Sequence, residues 1–396
     1  MTLLPDSEAA WEGPVTHAPQ KGGKHRRSRA RSVVELVALV VAVLGVVRLL
    51  TLPGRAGPPG GAAVAAPERP PAIAQFWPDA KPVSQAAVLA DSAPYTPQLY
   101  LDGTTSIGTA PTRDGTQVRV LVRDSEGIRE LRRVPANDFP QFAGFTSDGE
   151  NVFWAESTSP GSQALRTRLY RANWQTGARP VLLASDMGEA VFTESQFDLV
   201  INGGRIHWVA AEFVNAAVTQ VRSVPVGGGS VNITKVNGAY TLTGWPWLVS
   251  FSSAGTAQLE MYNQQTKQRV KLPTTPVEVV RCSPQWCRIV VLGGDAVPVR
   301  IDLQHPDGSD RRRIAGAEAN AVIGDVALLN RFEPLGVAGP SDAVGRDLVL
   351  YDIKSGKTVS VASGVDVIRA RLGVLWWSTG SDADLTWHSL DLRQLT

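Results

Sequence analysis

One pattern repeats from about Pro82 to the end of the chain: an extended run of alternating side chains, a polar turn, and a second run with charged residues. It occurs as QVRVLVRDSEGIRELRRV (Gln117 to Val134), TRLYRANWQTGARPVLLA (Thr167 to Ala184), AQLEMYNQQTKQRVKL (Ala257 to Leu272), PVRIDLQHPDGSDRRRI (Pro298 to Ile314) and RDLVLYDIKSGKTVSV (Arg346 to Val361). Alternation is the period of a strand, and turns rich in Gly, Asp, Asn and Gln close hairpins. No stretch of this region sustains helical periodicity, so residues 82–396 are expected to be all-β. Ahead of most hairpins lies a second unit, a turn leading into an apolar strand with an early tryptophan. Its copies are SDGENVFWAES (Trp154), NGGRIHWVAA (Trp208), GWPWLVSF (Trp247), SPQWCRIVV (Trp286) and RLGVLWWSTG (Trp376). With GDVALLNRF (Gly324 to Phe332) as a tryptophan-free copy, the spacing averages about 44 residues, within the range of a four-stranded propeller blade. The tryptophans are expected to fill contacts between neighbouring blades.

SDGENVFWAES resembles the Ser-(Pro)-Asp-Gly-x-x-Ile-x-Phe pattern of TolB-like and WD40-like propellers, and CSPQWCRIVV is a looser copy. The resemblance spans roughly residues 82–396 and implies a β-propeller, without the Trp-Asp ending and Gly-His opening of true WD40 repeats. Blades are expected at 94–136, 139–186, 190–237, 238–275, 277–316 and 318–364, with a partial one at 365–396. The strand VSQAAVLA (Val83 to Ala90) would complete that last blade and remove an exposed edge. This makes seven blades, with six and eight open. Propellers host binding, scaffolding and enzymatic roles alike, so the fold does not name an activity.

The other constraint is the apolar run VVELVALVVAVLGVVRLLTL, Val33 to Leu52, long enough as a helix to cross roughly 30 Å of hydrocarbon. The basic cluster KGGKHRRSRAR (Lys21 to Arg31) precedes it and would stay cytoplasmic, leaving the C-terminal domain outside. The expected organisation is a basic disordered tail (1–32), a transmembrane helix (33–52), a Pro/Gly/Ala-rich tether (53–81) and an extracytoplasmic propeller (82–396). A cleaved leader is the rival reading; Ala63-Val64-Ala65 has a suitable small-x-small form but lies far beyond the apolar run. Residues 1–55 hold eight Lys/Arg against four acids, so the remainder of a chain with 39 bases and 37 acids is slightly acidic. That balance argues against nucleic acid as a partner, since tracking phosphates needs a basic excess.

Chemistry is sparse. Cys282 and Cys287, the only cysteines, flank a Ser-Pro-Gln-Trp turn and are expected to form a disulfide outside the cytosol. The domain's histidines, His207, His305 and His388, fall in different blades with no ligand spacing, so neither a metal nor another cofactor is expected. VGGGS (Val226 to Ser230) reads as a hairpin turn and not a phosphate cradle, and Arg311 to Arg313 as a solvated face beside HPDGSD. Asn232-Ile233-Thr234 fits a glycosylation sequon. No catalytic motif is present. The expected function is a non-catalytic protein-binding or scaffold module of the cell envelope. Its recognition loops are expected at Ser157–Thr167, Glu333–Arg346 and Ser381–Thr386. The alternatives are an extracytoplasmic sensor of a glycan or small ligand, and an enzyme with a site assembled in the propeller channel.

Overall fold

The computed structural model describes residues 69–161, 163–213, 217–250, 259–339, 345–381 and 384–395. The apolar run Val33–Leu52, the basic cluster before it and most of the tether lie outside the described residues. Among the described residues no helix is long and apolar enough to cross a membrane. The helices present are single 3-10 turns, and the remaining regular structure is strand.

Five consecutive stretches form antiparallel meanders four strands deep: residues 96–135 (sheet 1), 141–184 (sheet 2), 189–237 (sheet 3), 240–271 (sheet 4) and 278–315 (sheet 5). All five hairpins read from the repeat are present as the third and fourth strands of their meanders. In sheet 3 the first strand is interrupted. Glu189–Ala190 and Val200–Asn202 both pair with Arg205–Phe213, and residues 191–199 leave the sheet between them. The rest of the chain forms a seven-stranded sheet whose last strand comes from the other end of the domain. Val83–Ala86 pairs antiparallel with Thr386–Asp391, Val83 opposite Ser389.

The turn of the quoted motif shows why the repeat starts where it does. Ser147 Oγ accepts from Gly149 N, and Asp148 Oδ1 accepts from the amides of Glu150 and Asn151. Gly149 sits at φ +102°, where a side chain would be strained. The strand that follows, Asn151–Thr158, then carries Val152, Phe153 and Trp154 into full burial.

Each sheet packs face to face with the next. Phe145, Trp154 and Tyr170 of sheet 2 meet Leu99, Ile107 and Val122 of sheet 1, and Trp208 of sheet 3 meets Phe153 and Leu169 of sheet 2. Sheets 3 and 4 share Val221, Tyr240 and Tyr262; sheets 4 and 5 share Met261, Leu272 and the two cysteines. Ile301 of sheet 5 packs on Leu335 and Val349 of the large sheet. That sheet folds over along its longest strand, Lys357–Arg371, so that Leu348, Leu350 and Val359 of one half pack on Leu375, Trp377 and Leu390 of the other. Trp376 and Trp387 then pack against Tyr100 of sheet 1, and the ring closes. A closed ring of radially packed meanders is a β-propeller. Trp154, Trp208 and Trp376 fill these contacts as the repeat implied. Each such side chain removes about 200 Å² from water, about 5 kcal/mol at 25 cal/mol/Å².

Topology also sorts the connections. In a meander, alternate connections emerge at opposite ends. One end of the ring, the hairpin face, therefore carries the first-to-second and third-to-fourth strand turns. The other, the crossover face, carries the second-to-third strand loops and the links between sheets.

The domain begins earlier than expected. Pro71 O accepts from Ser360 N, Ile73 and Ala80 are buried, and Trp77 meets Phe332 edge-on at 5.9 Å. The tether assigned to 53–81 therefore ends in packed chain, because Pro and Ala in its composition masked the apolar set Ile73, Phe76 and Trp77.

Candidate functional site

Side chains from sheets that are not neighbours in the ring can meet only at its axis, and a polar cluster does so. Ser195 and Gln196, in the excursion from sheet 3, reach Asp325 of the large sheet: Ser195 Oγ donates to Oδ1 at 2.5 Å and Gln196 N to Oδ2 at 2.9 Å. Glu194 of the same excursion faces Arg369 at 3.5 Å. Arg371, two residues on, donates to Phe145 O of sheet 2 at 2.7 Å. Behind Asp325, Arg288 of sheet 5 pairs with Glu333 at 2.5 Å, both side chains buried, and also donates to the carbonyls of Ile323 and Asp325. Glu333 Oε2 accepts from Ala327 N at 2.7 Å. The excursion thus crosses the axis and is tied to sheets on the far side.

The electrostatics follow from burial. Asp198 accepts from Thr193 N and Oγ1 through Oδ1, while Oδ2 is buried with no hydrogen-bond partner among the described residues. Loss of water, partly opposed by Arg371, pushes its pKa up to about 6. Burial likewise raises the carboxyls of Asp325 and Glu333 and lowers the guanidinium of Arg371. Among the described residues no imidazole lies beside Ser195 and Asp325, so what they form is a buried hydroxyl–carboxylate pair and not a serine–histidine pair.

None of these residues stands out as a site in the sequence. The available signal was a charge inside an apolar strand pattern, alone in CRIVV (Arg288) and FEPLGV (Glu333) and beside Arg369 in VIRARLGV (Arg371), which marks a buried, partnered ion.

The structure does not bring the histidines together. His207, in sheet 3, is buried against Trp245 with ring centroids 3.6 Å apart, and burial lowers its pKa to about 4. His305 Nδ1 donates to Gln285 O at 2.8 Å, and its ring lies against Trp286. His388 bonds Ser84 Oγ at 2.9 Å and Thr379 Oγ1 at 2.7 Å, which clasps the closing strand. Among the described residues no group of His, Cys, Asp and Glu is arranged to hold a metal ion. Cys282 and Cys287 face each other across paired strands, with sulfurs at a bonding distance of 1.97 Å. Arg311 pairs with Glu278 and Asp302, and Arg312 with Asp310, so the basic triplet is largely neutralised. Val226–Ser230 is the hairpin turn expected, and Asn232 is exposed at the start of an outer strand.

The three expected recognition loops all fall on second-to-third strand connections, hence on the crossover face. Their bounds narrow, since Ser157–Thr158 and Phe332–Ala338 are strand and Glu333 is fully buried.

No protein-family model matches the chain, and no curated protein does. Solved structures do. An uncharacterised protein of Listeria monocytogenes EGD-e is similar at 10% identity over 79% of this chain and 96% of its own, with a TM-score of 0.50. TolB from Acinetobacter baumannii is similar at 14% identity over 69% and 76% (TM-score 0.39). The β-propeller domain of the Trilobed protease from Pyrococcus furiosus is similar at 12% over 61% and 80% (TM-score 0.42). The chain spans about half the length of the peptidases it matches, 43% of an acylaminoacyl peptidase from Pyrococcus horikoshii and 53% of a puromycin hydrolase. At these identities the likeness bears on fold alone.

Proposed function

We propose that the protein is a seven-bladed propeller held outside the cell membrane by one N-terminal helix, and that it acts there as a non-catalytic protein-binding module of the cell envelope. The count takes sheets 1 to 5 as one blade each and the folded-over large sheet, with its borrowed strand, as two. The anchor rests on Val33–Leu52 and the preceding basic cluster.

The observation that carries protein recognition is the placement of exposed apolar side chains. Phe139 (68% exposed), Leu165 (51%), Val277 (51%) and Val297 (57%) all lie in crossover-face connections of sheets 1, 2, 4 and 5. Large apolar groups gathered on one face, around longer loops, are the usual composition of a docking surface. A photo-crosslinking residue placed at Leu165 in the intact protein should yield a specific adduct with an envelope protein, identified by mass spectrometry. The same residue at Leu329, exposed on the hairpin face, should not. Equal adducts from both positions would refute the assignment.

A sensor of a small ligand is the second reading. What favours it is Oδ2 of Asp198 at the axis, which has no partner among the described residues and lies in the field of Arg371.

A further inference from the structure

The charge on the crossover face specifies the partner that the apolar loops alone leave open. Its connections carry Asp114, Asp138, Asp186, Asp295, Glu318 and Asp384, from six different connections, against a single base, Arg113, among the described residues. A further acid, Asp91, is already paired with Arg119. Of the six, only Asp186 has an arginine within ion-pair distance among the described residues, Arg222 at 3.8 Å, and its carboxylate stays 80% exposed. Asp114, Asp295, Glu318 and Asp384 are exposed as well. The hairpin face is different: its connections carry Asp102, Glu126, Asp148, Glu150, Asp307, Asp310 and the buried Asp325 against Arg179, Lys267, Arg311, Arg331, Lys354 and Arg393, so acids and bases nearly balance there. The slightly acidic composition of the domain is therefore not spread evenly, and the acids share the crossover face with the exposed apolar side chains Phe139, Leu165, Val277 and Val297.

We infer that the crossover face docks a basic segment of a partner protein, one that presents apolar side chains between lysines or arginines. The inference rests on the protein-binding reading above and adds the partner's charge. Acids around an apolar patch reject acidic partners and a second copy of the same face, and they speed the approach of a basic one. Val83–Ala86 runs from the hairpin face toward the crossover face, so the described chain enters this closing strand from the side opposite the docking surface.

The test uses the full chain in phosphatidylcholine nanodiscs, which carry no net charge. Three fluorescein-labelled 12-residue peptides share Phe and Leu positions and differ elsewhere in Lys, Gln or Glu. Anisotropy should show the Lys peptide binding about tenfold tighter than the Gln peptide, with the preference fading as salt rises, and the Glu peptide weakest. The variant D114N/D295N/E318Q should lose most of that preference. The variant E126Q/E150Q/D307N, which removes as much charge from the hairpin face, should keep it. All six positions are exposed, so folding is not at stake, and melting curves check this. Equal binding of the Lys and Gln peptides, or equal loss in both variants, overturns the inference. Self-association abolished by Phe139→Ser would also overturn it, by making a second copy the occupant. If the Leu165 adduct forms as well with D114N/D295N/E318Q as with the unaltered protein, the protein-binding reading stands and the charge inference fails. Failure to form any adduct removes the reading itself.

Discussion

Replacing Asp198 by Asn tests whether the axial excursion holds a carboxylate against its preference for water. Asp198 is raised from 3.8 to about 6 by burial, with Arg371 opposing. An acid whose folded pKa lies above its unfolded value favours folding below the unfolded value, and that contribution is lost as pH rises through the folded one. For Asp198 the window runs from about pH 4 to about pH 6. A rise of that size corresponds to about 3 kcal/mol at pH 8 and to about 1 kcal/mol at pH 4.5, where the folded carboxyl is mostly protonated. Asn keeps an acceptor for Thr193 N and never ionises, so it should stabilise the domain by about 3 kcal/mol at pH 8 and about 2 kcal/mol less at pH 4.5. With an unfolding entropy of about 2.1 cal/mol/K per residue, the pH 8 gain amounts to a rise of about 4 °C in Tm. Paired thermal melts of the two proteins at pH 4.5, 6 and 8 measure it. A gain independent of pH, or a loss at pH 8, would show that Asp198 is ionised and well compensated, and the account of the axis would be wrong.

Arg288→Met should cost about 3 to 5 kcal/mol, because it leaves Glu333 charged and buried; adding Glu333→Gln should recover about 1 to 2 kcal/mol of that loss. Denaturant unfolding of the single and double variants decides it, and no recovery would assign the cost to lost hydrogen bonds and not to the charge. A truncation beginning at residue 69 should melt cooperatively, whereas one beginning at residue 91 lacks Ile73, Trp77 and the closing strand and should melt far lower. Identical melts would mean that Val83–Ala86 does not close the ring. Mass spectrometry of unreduced protein should find Cys282 joined to Cys287. The variant C282S/C287S should lose about 2 kcal/mol, the low end for a disulfide because the loop it closes is short.

The sequence by itself determined the strands, the hairpins and the order of the blades, because those rest on local physics. Alternation in Gln117–Val134 or Arg346–Val361 has one period, and the turns between the runs contain the Gly, Asp and Asn that turns require. Even the closing strand at Val83 was legible, since the last repeat is one strand short and a ring abhors an unpaired edge no less than any sheet. Composition was a poorer guide where few apolar residues act among many prolines, which is why Ile73 and Trp77 were assigned to a tether. The axial cluster was decided only by tertiary structure. Ser195 and Asp325 are bonded at a sequence separation of 130 residues, and no local pattern encodes which blades face each other across a ring. The same holds for the two faces. Asp114, Asp295 and Glu318 are scattered acids in the sequence, and the alternation of connections in a closed propeller is what gathers them, with Phe139 and Val297, on one side.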